Sequence, residues 1–155
     1  MAEKIKVLFV CLGNICRSPM AKAIMKHKIK NKQLEDKFYV DSCGTGPWHV
    51  GENADTRTIV TLQENKIPIK HKARQINLND LDEFDYIICM DKSNRRDVLL
   101  LGADPKKVFL MRDFDPQGQG ENVPDPYYNS DGFKEVYEML DRSIENFINF
   151  VLKTQ

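Results

Sequence analysis

Short apolar runs separated by amphipathic stretches set the pattern of this chain. Ile5-Lys6-Val7-Leu8-Phe9-Val10 is β-branched and nearly continuous, which predicts a buried strand. Residues 19–30 then carry apolar positions at helical spacing, with Met20, Ala23, Ile24 and His27 on one face. Ser18 is placed to cap this helix and Pro19 to fill its first position. A second strand is predicted at 38–41, and Asp55 opens a helix that reaches 65 before Ile67-Pro68-Ile69 breaks it. Tyr86-Ile87-Ile88-Cys89 reads as a third strand, followed by a helix from about 93 to 101 and a fourth strand, Val108-Phe109-Leu110. The longest pattern comes last: Phe133, Val136, Tyr137, Leu140, Ile144, Phe147, Ile148 and Val151 repeat at helical spacing.

Strands that alternate with helices imply parallel βαβ units with helices on both sheet faces, hence an α/β fold. At 155 residues the chain fits a single domain over 1–155. Neither a repeat nor a linker divides it, and the Gly- and Pro-rich stretch 113–130 reads as a long functional loop. A composition that is 41% hydrophobic and 30% charged excludes intrinsic disorder. The 23 basic residues match the 23 acidic ones, so no net charge draws the chain to nucleic acid or anionic lipid. Apolar runs fall far short of the ~20 residues of a membrane helix. The segment from Met1 to Lys6 has no signal-peptide pattern. A cytoplasmic protein, acting as a monomer, is the expectation.

In that setting the four cysteines, Cys11, Cys16, Cys43 and Cys89, are expected to be free thiols. Cys-x-x-Cys is absent and His27, His49 and His71 are scattered, so no metal site is expected. Cys43 reads as a small buried hydrophobe. Cys11 is different, because it closes the first strand where open α/β sheets bind ligands. It is followed by Leu12-Gly13-Asn14-Ile15-Cys16-Arg17-Ser18-Pro19, a loop leading into a helix. Free cysteine has a pKa of ~8.5, which falls near helix N-termini and cations. Inward-pointing amides, the positive end of the helix and the planar fork of Arg17 suit both a thiolate and a phosphate dianion. Gly13 permits a tight turn, Asn14 tolerates a left-handed backbone, and Ser18 can donate its hydroxyl to the sulfur. The Cys-x5-Arg spacing alone is weak, since Cys89 and Arg95 share it without the glycine, the cap and the proline.

The segment Cys11-Leu-Gly-Asn-Ile-Cys-Arg-Ser18 resembles the phosphate-binding loop of low-molecular-weight protein tyrosine phosphatases. The similarity extends along the chain through Asp41-Ser42-Cys43-Gly44-Thr45, Gly51 to Arg57, His71-Lys72-Ala73-Arg74, Met90-Asp91-Lys92-Ser93-Asn94 and Asp125-Pro126-Tyr127-Tyr128. The resemblance implies a four-stranded parallel sheet flanked by helices, in three layers, with the phosphate-binding loop after the first strand. It implies attack of the Cys11 thiolate on phosphorus and hydrolysis of the phosphocysteine by water, with no metal or other cofactor. Substrates would be phosphotyrosine proteins and small aryl phosphates, and inorganic phosphate the product.

A departing phenolate needs a proton, and three aspartates precede proline: Asp104, Asp115 and Asp125. Each also reads as a turn former. Only Asp125 is followed by two aromatic residues, and only it matches the family's general acid. Trp48 lies in Gly46-Pro47-Trp48-His49-Val50-Gly51, an exposed loop by composition, and the resemblance places it on the rim of the substrate slot opposite Tyr127. His49 belongs to the same rim. Tyr128 is either a packed aromatic or a phosphorylation site as in some relatives. Asn14, Ser18, Ser42 and His71 match a family network that holds the loop's shape; His71 rests on the resemblance alone. Cys16 follows Cys11 by five residues in a loop that curls round one anion, so the two sulfurs can meet and form a redox pair. Two alternatives remain at this level. One is a thiol-dependent arsenate reductase on the same loop, with Cys89 as a resolving thiol. The other is a non-catalytic phosphopeptide-binding module, which would need neither a nucleophile nor an acid.

Overall fold

The first apolar run folds as β1 (Ile5–Cys11), its side chains alternating between two cores because successive strand residues face opposite sides of the sheet. The computed structural model describes residues 3–155; Met1 and Ala2, the start of the segment read for a signal pattern, lie outside them. Three strands join β1: β2 (Phe38–Gly44), β3 (Tyr86–Cys89) and β4 (Val108–Leu110). All pairings are parallel and the spatial order is β2-β1-β3-β4, as the resemblance implied. Chain order reverses at β1, so its carboxyl end is where such a sheet opens a crevice.

One face packs Val7 and Phe9 against α1 (Arg17–Asn31), α2 (Thr56–Glu64) and α5 (Gly132–Thr154). Helix α5 contributes Val136, Leu140, Ile144, Phe147 and Val151, the apolar stripe read from the sequence. On the other face Leu8 and Val10 meet Leu81 of α3 (Leu78–Glu83) and Val98 of α4 (Lys92–Leu100). Helix α3 has no counterpart in the sequence reading. It spans six residues, four of them polar, too few to show an apolar period, and a capping box between Asn77 and Asp80 defines it instead.

Three local expectations change. Helix α1 begins two residues early, with Cys16 at the cap position, so Ser18 is not its N-cap and Pro19 lies inside the first turn. Proline is harmless there because the first-turn amides have no helical acceptor. His27 is half-buried instead of sharing the core face, where Met25 and Ile29 join Met20 and Ile24. Asp115 is more than a turn residue: its buried carboxylate accepts from Arg112 Nε at 2.8 Å and Arg142 Nε at 2.7 Å. It also accepts from the Gln117 amide, which retains its turn. Burial opposes ionisation of Asp115, yet Arg142, the Gln117 amide and Arg112 together hold its pKa below the usual carboxylate value. The stretch 113–130 is thereby pinned to α5.

Asp115→Asn leaves Arg112 and Arg142 facing a neutral amide in a buried setting. The expected loss of stability is on the order of 3 kcal/mol, read as a lower urea midpoint with an unchanged slope.

Candidate active site

Cys11 ends β1 and Arg17 begins α1, so the five residues between them must cross the crevice in a tight arc. Asn14 stands at φ 58°, the left-handed region its short polar side chain tolerates. The arc is held from outside. Asn14 Nδ2 donates to Ser18 Oγ at 2.8 Å and to Ser42 Oγ at 3.0 Å, while its Oδ1 accepts from the Arg74 amide at 2.9 Å. Its carbonyl accepts from His71 Nε2 at 2.7 Å. The amides of Thr45 and Gly46 bond the carbonyls of Cys11 and Leu12, which brings Gly44 against the loop. A Cβ on Gly44 would lie 2.7 Å from the Leu12 carbonyl oxygen, so only glycine fits. Beyond the arc, the Asp55 amide bonds the Ile15 carbonyl and the Thr58 hydroxyl that of Cys16. The amides of residues 13–17 donate to no acceptor among the described residues, consistent with a cradle for an anion.

Cys11 Sγ lies at the base of this cradle, 2.9 Å from Ser18 Oγ. With Asn14 donating to that hydroxyl, its own proton has two acceptors in reach, the sulfur and the more distant Cys43 carbonyl at 3.4 Å. Arg17 is buried and donates from NH1 to Asp91 Oδ2 at 2.7 Å and to the Val123 carbonyl at 3.0 Å. Its NH2 stands 3.6 Å from Asp125 Oδ2. Burial works against the guanidinium charge, but Cys11, Asp91 and Asp125 outweigh it and hold its pKa above the ordinary value. Cys16 differs from Cys11: burial and the charge of Asp55 push its pKa far up, so it is a thiol at neutral pH.

A cavity of about 390 Å³ opens above the sulfur. Leu12, Ile15, Trp48, His49 and Tyr127 line it, together with Asp125, beside Arg17, and the exposed Tyr128. Trp48 is 66% exposed and Tyr128 is 91% exposed, so Tyr128 is not a packed core aromatic. His49 bonds Glu52 at 3.0 Å and its ring lies 6.2 Å from that of Tyr127. Arg57, stacked on Tyr127 and Phe133 and bonded to Asp55, supports this wall. Of the three Asp-Pro aspartates only Asp125 reaches the cavity; Asp104 caps a short turn through the Lys106 amide. Cys43, in β2, is buried as expected. Cys89 does not line the cavity, and Arg95 follows an Asp91-capped helix start instead of rimming a loop.

Asp91, Arg74 and Arg57 were not singled out by the sequence reading. For Asp91 a signal existed: Asp91-x-x-Asn94 after an apolar run is a capping pattern, and the cap's second oxygen is what Arg17 uses. Arg74, which also clamps Asp41 and Asp80, could be found only from the fold.

A strand-closing cysteine, an amide cradle, a buried arginine and a facing carboxylate on a parallel α/β sheet define a cysteine-dependent phosphatase site. The family model for low molecular weight phosphotyrosine protein phosphatase matches residues 6–155. The chain belongs to that family. A Schizosaccharomyces pombe protein of that name is 44% identical over 97% of this chain and 99% of its own. A protein tyrosine phosphatase from Entamoeba histolytica, solved with Hepes in its active site, superposes with a TM-score of 0.92 at 37% identity, covering 97% of this chain and 99% of that one. A Drosophila arginine phosphatase gives 0.88 at 35% identity, covering 95% and 98%. These relationships do not favour an arsenate reductase, and the position of Cys89 agrees.

His71 provides a pH test. Burial pushes its pKa below the ordinary histidine value, against the pull of the Asn14 carbonyl, and its Nδ1 is buried without a partner among the described residues. The folded protein therefore resists a proton that the unfolded chain accepts below about pH 6.5. Stability should fall as pH drops through that value toward the lower folded pKa, and His71→Gln should lose less over the same interval. Denaturant titrations across about pH 7.5 to 5 check the difference.

Proposed function

We propose that the chain acts as one phosphatase domain over 1–155 that hydrolyses phosphotyrosine in proteins and small aryl phosphates. The observation that carries the reading is the placement of Cys11 Sγ, the Arg17 fork and Asp125 around one cradle. The Cys11 thiolate attacks phosphorus as the ester P–O bond breaks, and the carboxylic acid of Asp125 gives its proton to the departing oxygen. Arg17 and the amides of Leu12, Gly13, Asn14, Ile15 and Cys16 hold the equatorial oxygens, where charge accumulates. Ser18 steadies the sulfur. Water then attacks the phosphocysteine, Asp125 takes its proton, and the S–P bond breaks to release phosphate and restore the thiolate. A module that only binds phosphopeptides would have no use for an acid aimed at the leaving group.

The cavity walls support an aryl substrate. Leu12, Ile15, Trp48 and Tyr127 present apolar faces to a ring, and Asp125 is the only carboxylate lining the slot among the described residues. A phosphoarginine guanidinium, the group suggested by the Drosophila neighbour's name, would find few acceptors there. Four free cysteines support a cytoplasmic location, and the balanced charge supports protein substrates rather than nucleic acid.

Cys11→Ser should abolish turnover while vanadate still binds, because the amides and Arg17 remain. Asp125→Asn should slow phosphocysteine formation by roughly two to four orders of magnitude with phenyl phosphate, and far less with p-nitrophenyl phosphate, whose phenolate leaves unaided. Pre-steady-state rates on both substrates measure this; equal losses would make Asp125 structural. A third outcome concerns Cys16. Peroxide should convert Cys11 to a sulfenic acid, which the Cys16 thiol condenses to a disulfide with loss of water. Dithiothreitol should then restore the unaltered protein more fully than Cys16→Ser.

A further inference from the structure

Behind the phosphate loop, between α1 and the segment 66–71, lies a second groove of about 520 Å³, within the range of small-molecule sites. Its charge is lopsided. Lys22, Lys26 and Lys30 line one wall, spaced by four residues along α1, and Lys66 and Lys70 line the other. Glu35 is the only acidic residue lining it among the described residues. This concentration occurs in a chain with no net charge.

The lysines of α1 divide by face. On the side toward α5 the charges are matched: Lys28 contacts Asp141 and Glu145, and Lys32, just past the end of α1, contacts Glu145. Of the groove lysines, only Lys22 has an acidic partner, Asp41 at 3.1 Å, among the described residues. Lys26 is held below the ordinary lysine pKa by burial and by the neighbouring charge of Lys22, as expected where cations are crowded together. Lys66 adds a separate observation. It follows the C-cap of α2 at φ 60°, a position that favours glycine, so a charged side chain is kept there against backbone preference. The two walls also present apolar Pro19, Ala23, Pro68 and Ile69, beside the polar side chains of His27, Asn31 and His71.

We propose that this groove binds a small organic polyphosphate, its phosphates among the lysines and its ring against Pro68 and Ile69. Crowded ammonium groups around an apolar strip match clustered phosphates attached to a flat ring, and a single phosphate would leave most of the lysines unmatched. The ligand would adjoin His71, which lines the same groove and holds the Asn14 carbonyl of the phosphate loop. It would thus sit one side chain away from the cradle without entering it.

Calorimetric titration of the full chain tests the proposal, with vanadate present to fill the phosphate cradle. The probes are ATP, and inorganic tripolyphosphate as phosphates without a ring. One site per chain is expected, weakened by salt and tighter for ATP. Lys66→Gly suits the backbone and removes one charge, so it should weaken ATP binding about tenfold without loss of stability. Lys26→Ala/Lys30→Ala should weaken it further. Equal affinity for the two probes would overturn the role of the apolar strip. Absence of saturable binding beside vanadate, or lysine variants that bind ATP as the unaltered protein does, would overturn the site.

Discussion

A short loop that turns its amides inward has nothing of its own to hold it in that shape. The hydrogen bonds of Asn14 supply what is missing. Through one side chain and one carbonyl it reaches α1 at Ser18, β2 at Ser42, and the 71–74 segment at both His71 and the Arg74 amide. A left-handed backbone at this position is what aims the carbonyl and the amide group in different directions. The close passage of Gly44 completes the frame, since the backbone of β2 can brace the loop only where no side chain intervenes. Pre-organisation of this kind means that the donors need not be reoriented when phosphate arrives.

Arg17 imposes the second constraint. A guanidinium this deeply buried demands acceptors, and Asp91 and the Val123 carbonyl provide them. Those two partners come from separate segments of the molecule's second half: the cap of α4 and the middle of the 113–130 stretch. The Val123 amide in turn bonds the Met90 carbonyl, and Arg112 bonds the Asn122 carbonyl while pairing with Asp115. A continuous chain of polar contacts therefore runs from the hub at Asp115 to the arginine in the cradle, and Asp125 lies two residues beyond its last link. The loop is long because it must travel this route, and ordered because each part of it is tied.

The architecture was legible wherever burial repeats at a fixed period. Tyr86–Cys89 and Val108–Leu110 have the bounds expected from their apolar runs, and α5 buries the expected stripe. Short elements governed by polar caps left no such trace, as α3 shows. In the site, Cys11, Asn14 and Arg17 were legible because chemistry and backbone geometry restrict those positions to few residue types, whereas Gly13 is kept small by the His49 ring that a Cβ would approach. Arg74 and Arg57 were not, because surface arginines are common and only the fold shows what they clamp. The start of α1 was misplaced for a related reason. Ser-Pro is a strong helix-opening signal in isolation, whereas here the cradle begins the helix earlier and the serine turns toward the sulfur.

The lip of the slot has one more consequence. Trp48 is the chain's only tryptophan, and it stands largely in water beside the place where an aryl group would rest. The indole emission of the whole protein therefore originates at the entrance to the slot, with no buried indole to mask it. In the free protein that emission should be red-shifted, as from a wetted ring, and an aromatic ligand stacking on it would quench it or move it to the blue. The molecule carries its own optical reporter of occupancy, set by the position of a single side chain.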